Sequence, residues 1–162
     1  MAGSELSGFE NASADLFINK PWIICPTDKN SSSQIDIIKE LIQSLGAIPF
    51  ILNPQTHDRL VSWTSHLSLL MTSILIKTAS QQKEWPKISQ IASSGFRDTT
   101  RLASDNPLMK RDIVLTNQKN VLLVLKAVKK EIDDFISLVK QNKSIELLKY
   151  FQQAKDIRDE YS

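Results

Sequence analysis

The side chains best suited to chemistry are concentrated between residues 93 and 101. This stretch reads Ser-Ser-Gly-Phe-Arg-Asp-Thr-Thr-Arg, so it places two arginines, one aspartate and four hydroxyl groups around a single glycine. Arginine offers a planar pair of N–H donors that matches a carboxylate, and hydroxyl groups and a helix N-terminus add further donors. The pattern predicts a site for a small carboxylic acid. A helix-capping turn with surface charges explains the same residues equally well.

The two histidines and the single cysteine have ordinary structural explanations. His66 lies in the most apolar predicted helix, where a histidine is more often a hydrogen-bonded core residue than a catalyst. Ser65 is its immediate neighbour, and adjacent helical residues do not face each other, which disfavours a Ser-His hydrolase. His57 with Asp58 suits an exposed first helical turn. Cys25, in a predicted strand, suits an inert buried thiol.

The composition excludes several classes of protein. A balance of 20 basic and 18 acidic residues, with formal net charge +2, lacks the clustered basic excess that nucleic acids or anionic membranes usually require. Two histidines and one cysteine cannot form a zinc site of the usual types, so no metal site is expected. Four glycines form neither a G-x-G-x-x-G nor a Walker motif. No targeting segment or membrane span is visible, and we expect a soluble, cytoplasmic protein.

The first third of the chain predicts a βαβ unit. Residues 21–26 and 47–52 are short apolar runs with the character of strands. Between them, apolar residues recur at helical spacing, and Gly46 stands where a helix-ending glycine belongs. Such a unit has parallel strands and a right-handed crossover. Two strands do not make a stable sheet alone, so this unit is typical of the end of a larger α/β sheet.

From residue 53 onward the pattern is helical. Asn53-Pro54 predicts the start of a helix that runs to about residue 80. It is apolar on nearly every side between residues 61 and 76, so we expect a buried central helix. The other predicted helices are one from Glu84 that Ser94-Gly95 closes, a short segment capped by Asp98, a long one from Asp105 through Val139, and one over residues 144–160. Their apolar stripes exceed what one small bundle buries, which predicts cover by a second subunit.

Three sets of motifs resemble, in chain order, those of the prephenate and arogenate dehydrogenases of tyrosine biosynthesis. Residues 93–101 with Asn106-Pro107 resemble the substrate motif of that family. His57-Asp58 and Ser65-His66-Leu67 resemble its "His-Asp … Ser-His-Leu-Pro" helix, with serine in place of the proline. Met1-Ala2-Gly3-Ser4 resembles part of its "His-Pro-Met-Ala-Gly-Thr … Ser-Gly" segment. The likeness spans the whole chain and is strongest towards arogenate dehydrogenases of the cyanobacterial type.

The resemblance implies a mainly α fold in two parts. Residues 1–53 would be the βαβ remnant of a Rossmann-type nucleotide-binding domain, and residues 54–162 an all-helical substrate-binding and dimerisation domain. The implied activity is NAD- or NADP-dependent oxidative decarboxylation of arogenate or prephenate by a homodimer. The catalytic histidine of the family would precede Met1, so we expect a C-terminal part that is inactive alone. The alternative is a non-catalytic helical dimerisation module that has kept the scaffold.

The resemblance also assigns roles to single residues. Arg101 matches the arginine that holds the substrate carboxylate, and Asp98 matches the acid that orients this arginine. Ser4 takes the place of a hydroxyl residue at the substrate ring. Ser65 matches a serine near both substrate and nicotinamide, and Gly3 would let backbone approach the cofactor.

Three other positions bear on support and specificity. His66 matches the histidine of the helix motif and is expected to give structural support. Leu69 stands where prephenate-using members carry a second histidine, and Lys110 where many carry tryptophan. Both departures favour arogenate over prephenate. The choice between NAD and NADP stays open, because the residues that read the ribose would lie upstream.

Overall fold

The computed structural model describes residues 8–161, which form two short strands and eight α-helices. The elements are β1 (Pro21–Ile24), α1 (Ser32–Ser44), β2 (Ile48–Ile51), α2 (Pro54–Val61), α3 (Leu67–Ser80), α4 (Trp85–Ile91), α5 (Ser94–Thr100), α6 (Pro107–Thr116), α7 (Gln118–Lys140) and α8 (Ser144–Tyr161). Three-residue and four-residue 3-10 turns lie at Phe9–Asn11 and Arg101–Ser104, and a π turn at Ser62–His66 joins α2 to α3.

The βαβ prediction is confirmed. β1 and β2 pair in parallel, with Ile23 opposite Phe50. A capping box begins α1: Gln34 N donates to Ser31 Oγ at 3.3 Å, and Ser31 N donates to the Gln34 side chain at 2.9 Å. Gly46 follows the helix with φ +74°, a conformation that L side chains rarely adopt. These local signals explain why this unit could be predicted from sequence.

Within the described residues α1 packs against β2, but the two-stranded sheet is not fully covered on both faces, as a parallel sheet normally is. Phe50 and Ile51 are each 50% exposed, and Ile48 is 46% exposed. The described chain therefore leaves apolar sheet surface open.

The predicted helix from Asn53 is confirmed, but it contains the π turn Ser62–His66, which the sequence pattern did not indicate. Asn53 Oδ1 accepts from Thr56 N at 2.7 Å and caps α2. In the wide turn, Leu67 N donates to the carbonyl of Ser62, five residues earlier. Ser62 is fully buried, and its Oγ donates to Arg59 O at 2.7 Å. Side-chain bonds of this kind compete with the regular helical pattern.

The expectation of a buried central helix is wrong for much of its surface in the single chain. Leu69 is buried, but Trp63 is 42% exposed, Ile74 45% and Leu75 38%. Packing neighbours within the described chain cover only part of the helix, so the apolar pattern exceeds what the chain itself buries.

The predicted boundary at Ser94-Gly95 is also wrong. α4 ends at Ile91, and Ser94-Gly95 begin α5 rather than close the preceding helix. Gly95 does not have the positive φ of a helix-ending glycine, and the extended backbone of Ala92 and Ser93 makes the break instead. Asp98 consequently lies inside α5 and is not a cap.

The long helix predicted from Asp105 is interrupted at Asn117. This residue has φ −117° and ψ 34°, so α6 ends at Thr116 and α7 begins at Gln118. The last predicted helix is confirmed as α8. No helix in the described part of the chain is long and apolar enough to cross a membrane.

The chain forms two compact units, Met1–Val121 and Leu122–Ser162. The second unit contains most of α7 and all of α8. Phe135 of α7 lies with its ring centroid 5.2 Å from that of Tyr150 and 5.9 Å from that of Phe151, both on α8. These rings border an open apolar groove of about 320 Å³. The domain division expected at residues 53 and 54 stays a prediction.

Candidate functional site

The predicted carboxylate site lies on α5 and on the 3-10 turn that follows it. Asp98 is in the second turn of α5, and Arg101 is the first residue of the 3-10 turn. Both residues are exposed. α3 packs against α5 and against this turn. The structure therefore places the predicted carboxylate-binding residues beside the helix that directly follows Ser65 and His66.

The hydroxyl groups of this stretch do not all serve the predicted purpose. Thr99 Oγ1 donates to Gly95 O, and Thr100 Oγ1 donates to Phe96 O, each at 2.7 Å. Because a hydroxyl has one hydrogen to donate, neither threonine offers a donor to a ligand in this arrangement. The expectation that the hydroxyl groups of this stretch add donors is therefore wrong for these two threonines.

Lys110 supports the 3-10 turn that begins at Arg101. Its Nζ donates to the carbonyl oxygen of Ala103 at 2.7 Å. A cation at the end of a helical turn pairs with carbonyl groups that have no partner within the turn. The lysine that the sequence showed only as a departure from the family pattern thus contacts the turn on which Arg101 lies.

Ser65 and His66 lie in the π turn, and both are half-buried. Wide turns of this kind occur frequently at functional sites because they shift the side chains that follow. Leu69, in the first turn of α3, is only 6% exposed. At the position expected to carry a histidine in prephenate-using relatives, the chain therefore has a buried apolar side chain.

His66 is held by Asn117, the residue that interrupts the predicted long helix. Asn117 Nδ2 is 2.7 Å from the carbonyl oxygen of Asp58, to which it donates, and 3.3 Å from His66 Nδ1. Asn120 Nδ2 donates to Asn117 Oδ1 at 2.8 Å. Asn117 is buried. Structural support by His66 was expected, but the partner that holds it was missed.

Burial favours the neutral form of His66. Burial lowers the pKa of His66, and the carboxylate of Asp58 opposes this effect only in part. His57, whose Nδ1 lies 3.0 Å from Asp58 Oδ1, lowers the pKa of His66 further. We therefore expect an uncharged His66 at neutral pH.

Cys25 follows β1 directly and is half-buried rather than buried within the strand. Burial raises the pKa of its thiol, and Asp58 raises it further. The thiol is therefore protonated at neutral pH, in keeping with an inert role.

The described residues do not fit a dinucleotide by themselves. In a dinucleotide-binding βαβ unit, the pyrophosphate meets free N–H groups at a helix N-terminus behind a glycine-rich turn. Here Ser31 and Gln34 take up N–H groups at the start of α1, and the β1–α1 loop has no glycine. The described part of the chain also contains no group of three potential metal ligands. Gly3 and Ser4 lie outside the described residues.

Comparisons with known proteins identify the relatives. Models of the nucleotide-binding domain and of the dimerization domain of prephenate dehydrogenase match residues 1–50 and 53–153, respectively. The prephenate dehydrogenase of Bacillus subtilis is 34% identical over 160 residues, which cover 98% of this chain and 43% of the relative.

Solved structures agree with this assignment. Synechocystis arogenate dehydrogenase has 30% identity and a TM-score of 0.84, with 99% of this chain and 59% of that chain covered. Prephenate dehydrogenase from Aquifex aeolicus, in complex with hydroxyphenyl propionate and NAD+, has 28% identity and a TM-score of 0.91, with 100% and 57% covered. The predicted fold class and family resemblance are thereby confirmed. The chain spans about half the length of these relatives.

Proposed function

Because the chain belongs to the prephenate dehydrogenase family, we propose that it is the C-terminal, substrate-binding and dimerisation part of an NAD- or NADP-dependent arogenate or prephenate dehydrogenase. The observation that carries this proposal is the packing of α3 against α5 and the Arg101 turn, in a region that matches the family's dimerization domain. The catalytic histidine and the dinucleotide fingerprint would lie upstream of Met1.

In this proposal each candidate site residue has its own role. Arg101 holds a substrate carboxylate, and Asp98 orients the guanidinium group. Ser65 lies near substrate and nicotinamide, and His66 supports the turn that carries Ser65. For Ser4 and Gly3, which lie outside the described residues, the family resemblance implies roles at the substrate ring and at the cofactor, respectively. The nicotinamide of NAD or NADP would accept the hydride, and the residues described here would bind and orient the substrate.

The competing function is a helical dimerisation module without chemistry. The sequence of the DNA upstream of Met1 distinguishes between the two proposed functions. An in-frame His-Pro pair preceded by a G-x-G-x-x-G motif supports the dehydrogenase, whereas a stop codon and ribosome-binding site directly before Met1 support the module. We call this chain with its upstream coding sequence restored the extended protein.

We expect the extended protein to prefer arogenate. Arogenate has an ammonium group where prephenate has a keto group, and a protonated histidine at position 69 would repel that ammonium. Leu69 removes this repulsion and also a donor that prephenate would use. The kcat/KM for arogenate should therefore exceed that for prephenate, and Leu69→His should shift the ratio towards prephenate.

The control for this substrate prediction is Leu75→His, at an exposed position of the same helix. It should leave the ratio of the two kcat/KM values unchanged. Equal or better use of prephenate by the unmutated protein would refute the preference.

We also expect a homodimer. Large apolar side chains of α8 are strongly exposed in the single chain: Ile145 is 68%, Leu148 69% and Phe151 58% exposed. Exposed apolar surface of this extent is typical of a protein interface. Light scattering should give twice the mass of 18.3 kDa.

Two substitutions on α8 test the surface that forms this dimer. Leu148→Lys should shift the protein towards monomer, whereas Gln153→Lys, an exposed polar position of the same helix, should not. A stable monomer of the unmutated chain at micromolar concentration would count against the dimer.

A further inference from the structure

We propose that Asn117 is a positioning residue: its side-chain amide keeps the imidazole proton of His66 on Nε2 and fixes the ring within the π turn that carries Ser65. The inference rests on the proposed function in so far as this turn belongs to the dehydrogenase site. The hydrogen bonds from which it is argued all lie between residues of this chain.

The orientation of the Asn117 amide follows from its surroundings. Asn120 Nδ2 donates to Asn117 Oδ1 at 2.8 Å. On the other side, the carbonyl oxygen of Asp58 can only accept, so the atom 2.7 Å from it must be the donating Nδ2. The Asp58 carbonyl therefore fixes the orientation of the amide, and the Asn120 contact agrees with it.

This orientation decides the tautomer of His66. The Nδ2 group has two hydrogens, of which one is directed to the Asp58 carbonyl and the second is available for His66 Nδ1 at 3.3 Å. A protonated Nδ1 would place two donors against each other. Nδ1 must therefore be the accepting nitrogen, and the proton of the neutral ring lies on Nε2.

The same contacts tie two separate segments together. Asn117 lies 51 residues after His66 and 59 after Asp58 in the chain. The hydrogen bond from Asn117 Nδ2 to the Asp58 carbonyl fixes the last turn of α2. The contact of the same group with the His66 imidazole fixes the π turn that follows. At the break between α6 and α7, the buried Asn117 amide thus contacts both segments.

Asn117→Asp is the substitution that tests this assignment. It keeps the size of the side chain but replaces the donor facing Nδ1 by an oxygen that can only accept. We expect the neutral ring to move its proton to Nδ1, and the pKa of His66 to rise because the new carboxylate favours the imidazolium. The other charged groups nearby are Asp58 and His57, and Arg59 and Lys119 line a surface pocket together with Asp58.

Nitrogen NMR of this chain measures both quantities. The chain has two histidines, and His57→Gln leaves only the His66 signals. In the unmutated ring we expect a protonated Nε2 and a bare Nδ1, and in Asn117→Asp the reverse. Asn106→Asp is the matched control, because Asn106 only accepts bonds as the cap of α6 and an aspartate accepts them equally well.

Kinetics of the extended protein tests the link to the site. The proposal requires that the site uses the Nε2 proton of His66. In Asn117→Asp this nitrogen is bare, so kcat/KM should fall roughly three- to tenfold at pH above the raised pKa of His66. Below that pKa the imidazolium again has a proton on Nε2, so the deficit should shrink as the pH falls. A purely structural defect would lower kcat/KM by the same factor at every pH.

A protonated Nδ1 in the unmutated chain would overturn the proposal. The nitrogen NMR spectrum of the unmutated chain gives this answer even if Asn117→Asp does not fold. An unchanged tautomer and pKa in folded Asn117→Asp, or a kinetic deficit independent of pH, would also overturn it. An extended protein without dehydrogenase activity would contradict the proposed function, whereas the tautomer measurement would still stand.

Discussion

In the extended protein, Arg101→Lys should lower kcat/KM roughly ten- to a hundredfold, mainly through a higher KM. Lysine keeps the positive charge but loses the planar pair of donors that binds both oxygens of a carboxylate. A hydrogen bond to a charged group contributes about 1.5–3 kcal/mol, which corresponds to this loss. Steady-state kinetics with arogenate and with prephenate measures the effect.

Arg97→Lys is the matched control for this substitution. Arg97 is exposed on α5, one turn before Arg101, and we assign it no contact with substrate. Its replacement should change kcat/KM by less than about threefold, in line with a surface substitution. Unchanged constants in Arg101→Lys would show that another group holds the carboxylate.

The second large effect is the complete absence of dinucleotide binding by the isolated chain. The capping box of Ser31 and Gln34 occupies the start of α1, and the chain has no glycine-rich phosphate loop. Calorimetry with NAD+ and with NADP+ should give no binding heat, whereas the extended protein should bind at least one of them. Micromolar affinity of the isolated chain for either dinucleotide would contradict the assignment of the cofactor site to upstream residues.

Local signals made the βαβ unit predictable. Ser31 and Gln34 cap α1, Gly46 ends it with a positive φ, and apolar runs flank it on both sides. Each of these features acts within a few residues, so the sequence pattern and the structure agree. The same holds for the Asn53 cap and for α8.

The break at Asn117 and the π turn could not be predicted in this way. The apolar pattern continues through Asn117, from Ile113 to Val121, and thus predicts one helix. The residue at the break bonds to Asp58 and His66, which lie more than 50 positions earlier in the chain, and a local pattern carries no information on such partners. A single buried asparagine within an apolar stripe was the one available signal, because such a group needs partners.

The candidate site was predictable only in part. The family resemblance placed Arg101 and Asp98 together, and the structure brings their segment against α3. The bonds of Thr99 and Thr100 to their own helix could not be read from the stretch, because the same residues suit a ligand site and a helix. The hydrogen bond from Lys110 Nζ to the Ala103 carbonyl oxygen could not be predicted either, because it depends on how the chain turns between these two residues.

The most direct test of the account is turnover by the extended protein. Purified extended protein is given arogenate or prephenate with NAD+ or NADP+, and both reduced cofactor and carbon dioxide are measured. The account predicts that the two products form in equal amounts, faster from arogenate, while the isolated chain forms neither. A folded, dimeric extended protein that oxidises neither substrate would contradict the dehydrogenase assignment and favour the non-catalytic module.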